Sequence, residues 1–195
     1  KAQERIVVVE NQSAFISRYG DSINIAGEFS NFTNLDNSGE SLTLTAADGS
    51  LITEFTYDDQ DPWPQAADGL GHSLTLILPE TRPDPHLSEN WRPSVKLGGS
   101  PGFTDAKPFM TGSLRDHLLA NSEPLLDNQR FSYSSLLAAD EFIAVPQTSS
   151  DLLEWKDLPL PSQPETISPS GMASYSVAIP SASTKQFLRL SIRRR

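Results

Sequence analysis

Large side chains return at every second position in two short stretches, first Thr53, Phe55 and Tyr57, then Leu74, Leu76 and Leu78. A two-residue period marks an extended strand with one face covered and the other wet. Between the two lie Pro62, Pro64, Gly69 and Gly71. These residues interrupt a hydrogen-bond ladder, proline because it has no N–H and glycine because it favours turns. The pattern predicts a strand, an acidic loop centred on Trp63 and a second strand. It sets an all-β expectation for the chain.

Other segments follow suit. Ile6 to Val9 is a β-branched run that predicts a buried strand, and Ile23 to Phe29 predicts another. Asn11 to Tyr19, with a capping Asn or Ser, apolar Ala14, Phe15 and Tyr19, and a closing Gly20, predicts a short helix. Asn31 to Gly39 is a turn composition. The Asp48-Gly49 pair predicts a two-residue hairpin turn between strands at Ser41 to Thr45 and Leu51 to Tyr57. Those strands and one at Ser73 to Leu78 are expected antiparallel in one sheet. Pro79 to Ser94 reads as a proline-broken loop, and Gly98 to Gly102 as a tight turn.

From Thr104 to Asn128 a connector is expected, with a short helix through Leu114, Leu118 and Leu119. A second strand series then follows: Phe131 to Leu137, Phe142 to Gln147, Leu153 to Lys156, Ser174 to Ile179 and Phe187 to Ile192, with 158–171 as an exposed loop. The division is therefore 1–105, a β-sandwich; 106–129, a connector; and 130–195, a smaller β-sandwich-like unit.

Charge narrows the function. The net charge is −10, which disfavours a phosphate backbone as partner and so argues against nucleic acid. From Glu54 to Glu89 eight carboxylates face Arg82 alone, a net −7, whereas Lys185, Arg189, Arg193, Arg194 and Arg195 close the sequence without an acid. No apolar run approaches the length of a membrane span. With no cysteine, disulfides, thiol nucleophiles and thiolate metal sites are all ruled out.

Three consecutive pieces carry a family likeness: NLDNSGESLTLTAADGSLITEFTYDD, DPWPQAADGLGHSLTLI and WRPSVKLGGSPG. They resemble the bacterial lamin-tail domain through Leu35, Asn37, Gly39, Glu40, Tyr57, Asp59, Pro62, Trp63, Pro64, Ala67, Asp68, Gly69, Gly71, Ser73, Leu74, Trp91, Ser94, Gly98, Gly99, Pro101 and Gly102. The resemblance implies an immunoglobulin-like antiparallel β-sandwich. The strands with which that family opens have no counterpart here, so it also implies a sandwich incomplete at its N-terminal side. Such a sandwich would be completed by strands from another chain or segment. It further implies residence in the extracellular space or at the cell surface, as the C-terminal part of a longer exported protein. FSYSSL, SSDLLEW and FLRLSI resemble a small β domain found at the ends of large secreted bacterial proteins.

Candidate chemistry is sparse. Asp58, Asp59, Asp61 and Asp68 offer hard oxygen ligands, and Ca²⁺ is the cation they would suit. Their irregular, proline-interrupted spacing fits turn capping better, so no cofactor is expected. His72, His86 and His117 have no partners at metal spacing, and no serine sits in a nucleophile motif. Trp63 and Trp91 could stack on sugar rings, or else cover the end of the sandwich. The binding surface expected is the acidic tryptophan loop: Asp58, Asp59, Asp61, Trp63, Asp68 and Trp91. The reading is a non-catalytic interaction, anchoring or spacer module with a protein or cell-surface partner. Its rivals are the accessory end of a secreted enzyme and a carbohydrate-binding module.

Overall fold

A computed structural model describes residues 4–29, 34–180 and 185–195. The architecture is all-β, with thirteen described strands in five sheets and two α-helices. The expected turn at Asn31 to Gly39 falls in part on residues 31–33, outside the described residues. Its remainder turns at Asp36, whose carboxylate accepts the Ser38 N–H at 2.8 Å.

The N-terminal half contains three two-stranded sheets. Strand β1 (Val7–Val9) pairs in parallel with β2 (Ile25–Glu28), and helix α1 (Gln12–Tyr19) makes the crossover. Asn11 caps that helix by accepting the Ala14 N–H at 2.8 Å, and Gly20 ends it at φ 86°. The expected burial of this first strand is only partial. Val9 is buried, but Ile6 and Val8 stay more than half exposed, because a two-stranded ribbon covers little.

Strands β3 (Glu40–Thr45) and β4 (Leu51–Tyr57) form the hairpin expected around Asp48-Gly49, although the turn is longer than two residues. The Gly49 N–H donates to Ala46 O, and Ala46 and Ser50 still pair, so three residues turn the chain, with Gly49 at φ 84°. The strand at 73–78 does not join this hairpin. Instead β5 (Leu74–Leu76) pairs with β6 (Trp91–Pro93), inside the segment expected to be loop. Leu78 adopts a left-handed conformation at φ 48°, which ends the strand early.

The C-terminal half is a closed sandwich. One sheet has the order β10-β9-β13 and the other β11-β12-β8-β7. Their strands are β7 (Leu125–Asp127), β8 (Arg130–Leu136), β9 (Phe142–Ser149), β10 (Lys156–Asp157), β11 (Thr166–Ile167), β12 (Met172–Ala178) and β13 (Phe187–Arg194). Alternation along β8 sends Phe131 and Tyr133 inward while Ser132 and Ser134 bond across to serines of β12. Helix α2 (Leu114–Leu119), capped by Ser113, drives Leu118 and Leu119 into the same core.

Four details differ from expectation here: β7 falls inside the segment expected as connector, β11 inside the segment expected as loop, and the Leu153 strand and the loop's exposure are each only partly as expected. Leu153 to Lys156 is mostly turn, because the Asp151 carboxylate accepts the N–H groups of Leu153 and Glu154 at 2.9 and 3.0 Å. That leaves the strand only Lys156 and Asp157. The loop 158–171 is not wholly exposed either, since Leu158 is buried beside Phe131 and Val177.

Candidate functional site

The halves meet at a buried ion cluster. Arg92 on β6 donates from Nε and Nη2 to the Asp140 carboxylate at 2.5 and 3.2 Å, and from Nη1 to Asp105 at 2.8 Å. All three side chains are about 6% exposed or less. Burial pushes the guanidinium towards deprotonation, but the two carboxylates override it and raise its pKa. A second link is Gln163. Its amide donates to the carbonyls of Pro62 and Trp63 and accepts the Gln65 N–H at 3.0 Å. The ion cluster sets one guanidinium against two carboxylates, and its members come from three chain segments.

Two cavities open on the N-terminal half. The larger, about 1140 Å³, is lined by β1, α1, β5 and the 98–106 segment. Ser73, Leu74, Thr75 and Leu76 line it in unbroken succession. A strand seen face-on would contribute alternate residues, so β5 meets the cleft along its edge. That edge lies opposite β6, and among the described residues no other strand pairs with it. Val8, Phe15, Leu35 and Phe103 make much of the surrounding wall apolar.

The 98–102 turn closes one end of this cleft. Gly98, Gly99 and Gly102 all have positive φ, and a Cβ on Gly99 would stand 2.6 Å from Ser73 Oγ. Glycine at 99 is therefore required twice over, by conformation and by the approach to β5. On the same turn, Tyr19 of α1 donates its hydroxyl to Gly98 O at 2.8 Å.

The smaller cavity, about 400 Å³, lies beside the tryptophan loop. Phe55, Tyr57 and Trp91 line it, all half-buried, and Phe55 stacks on Trp91 with centroids 5.4 Å apart. Asp36, Asp58, Asp59 and Asp68 also line it, and no Lys or Arg does. Among the described residues none of these four carboxylates forms a salt bridge. The Gln60 N–H holds Asp58 below the usual carboxylate range. Burial, followed by the Glu40 carboxylate, pushes the Tyr57 phenol up to about 12.

Of the six residues expected from sequence, this cavity gathers Asp58, Asp59, Asp68 and Trp91; Asp61 and Trp63 do not line it. Trp63 is only 9% exposed and packs on Trp91 at 6.0 Å, so neither indole offers a flat open platform for a sugar ring. His72 also lines the cavity, and its Nδ1 donates to Ser94 O at 2.7 Å. Among the described residues no three His, Asp or Glu side chains are grouped so as to hold a metal ion. Asp36, Phe55 and Tyr57 are the additions that sequence reading missed. The available signal was the alternation that puts Phe55 and Tyr57 on one face of β4.

No family model, curated protein or solved structure matches the chain.

Proposed function

We propose that this chain is a non-catalytic binding module of an exported protein, placed outside the cell or at its surface. Its N-terminal half is an immunoglobulin-like sandwich of lamin-tail type that accepts added strands from another chain or segment. One observation carries the reading: among the described residues β1 and β5 each pair with a single strand, and both line a cleft of about 1140 Å³ whose wall mixes apolar Val8, Phe15 and Phe103 with charged Arg5, Glu10 and Arg18. Strand addition uses such edges, with main-chain hydrogen bonds giving affinity and the side-chain alternation giving register.

Hydrogen exchange tests it on the isolated chain. Amides of β1 and β5 should exchange far faster than those of β8, β9 and β12, and should gain protection when the completing segment is supplied. Equal protection of both halves without any partner would show a self-sufficient N-terminal half and end the proposal.

A further inference from the structure

We infer that the 400 Å³ cavity beside the tryptophan loop binds an organic cation, specifically a guanidinium group on an aliphatic stem, as an arginine side chain carries. The inference goes beyond strand acceptance, since it concerns a separate cavity that shares only Leu74, Ser73 and the 35–37 turn with the cleft.

Each part of the lining removes a class of ligand. Asp36, Asp58, Asp59 and Asp68, with no Lys or Arg among them, repel anions and give neutral ligands no charge to meet. Among the described residues the carboxylates, though hard oxygen donors, are not grouped so that three could hold one metal ion, and Phe55 and Trp91 give such an ion nothing to bind. What remains is a cation with an apolar body. Aromatic faces attract such a cation through their quadrupoles, and the volume falls in the range of sites that enclose a small group.

The choice between cations rests on hydrogen bonding. The carboxylates that line the cavity are acceptors and leave lone pairs free after bonding their own loop: Asp58 takes the Gln60 N–H at 2.9 Å and Asp59 the Gln60 amide at 2.7 Å, each through Oδ1. A quaternary ammonium has no N–H to offer them. A guanidinium offers five, and its plane stacks on Phe55 or Tyr57 while its edge reaches the carboxylates.

Titration of the whole chain with Nα-acetylarginine amide, followed by tryptophan emission and by amide chemical shifts, tests the site. Saturable binding is expected with a Kd on the order of 1 mM. The shifted amides should be those around Phe55, Asp58, Asp68 and Trp91. Nα-acetylcitrulline amide, the neutral isostere, should bind at least about fivefold more weakly. The exposed double substitution Asp58→Asn with Asp68→Asn should weaken the arginine derivative about fivefold while leaving the thermal transition in place. Equal binding of the two amides, no saturation by about 100 mM, or an unchanged Kd in the double variant would overturn the assignment.

Discussion

The two halves of the molecule use the same kind of strand to different ends. In the C-terminal half two sheets face each other, and both clusters of buried apolar side chains lie there, around Leu118, Tyr133 and Ala144 and around Phe131 and Val177. In the N-terminal half the three strand pairs leave Ile6, Val8, Leu35, Leu51 and Ile52 about half exposed or more. Hydrophobic stabilisation scales with apolar area removed from water. Among the described residues the C-terminal half therefore holds the larger share of the apolar core, and the N-terminal half is tied to it through Arg92 and Gln163.

The largest test of that tie is Arg92→Ala. Removing the guanidinium strands Asp105 and Asp140 as buried charges, and about 3–5 kcal/mol of stability should be lost. Urea unfolding should also split into two steps as the halves part. A shift below about 1 kcal/mol would mean that the cluster is not what joins them.

Next comes a matched pair of truncations. Leu118→Ala, at a side chain 2% exposed, should cost about 2–5 kcal/mol by leaving a cavity in the closed core. Val8→Ala, at a side chain 51% exposed, should stay within about 0.5 kcal/mol in the chain alone. If the completing segment is present, the cost at Val8 should grow. Equal costs at the two sites in the free chain would erase the contrast between the halves.

Gln163→Ala should cost about 1 kcal/mol, since its three backbone partners can turn partly to water. The loss should be read mainly as faster exchange in residues 62–67. The smallest effect is electrostatic and belongs to the C-terminal half alone. Arg193, donating at 2.6 Å from both Nη atoms, and then Gln147, hold Asp157 down at about 2 from an ordinary value of 3.8. A depressed folded-state pKa stabilises above the unfolded value and is lost as pH falls through the folded one. The pair should therefore help fully above about pH 4 and fade towards pH 2, and Arg193→Gln should flatten the acid limb of the thermal midpoint in that window.

How much of this was legible in the sequence depends on the range of the interaction. Local chemistry was readable: the Asn11 cap, the tight glycine turn at 98–102 and the two-residue period of β4 all follow from neighbours a few residues apart. Pairing was not. Alternation says that Leu74 to Leu76 is extended, but not that its partner is Trp91 to Pro93 rather than the preceding hairpin. The strand misread at Leu153 fell to one side chain, Asp151, whose carboxylate offered the backbone a turn in place of a ladder. Within the smaller cavity the acidic loop was visible, while Asp36 and the Phe55 and Tyr57 wall were not, because only the folded hairpin brings residues 36, 55 and 68 together. The Arg92 cluster left no trace, its carboxylates lying 13 and 48 residues away.

The amide of Gln163 reaches from one half to the carbonyls beside Trp63, and Trp63 in turn leans on Trp91. A protease nick anywhere between Pro161 and Thr166 would thus be felt across the molecule as a loosened indole pair. Emission wavelength then becomes a built-in gauge of whether that distant loop is whole, readable without any label.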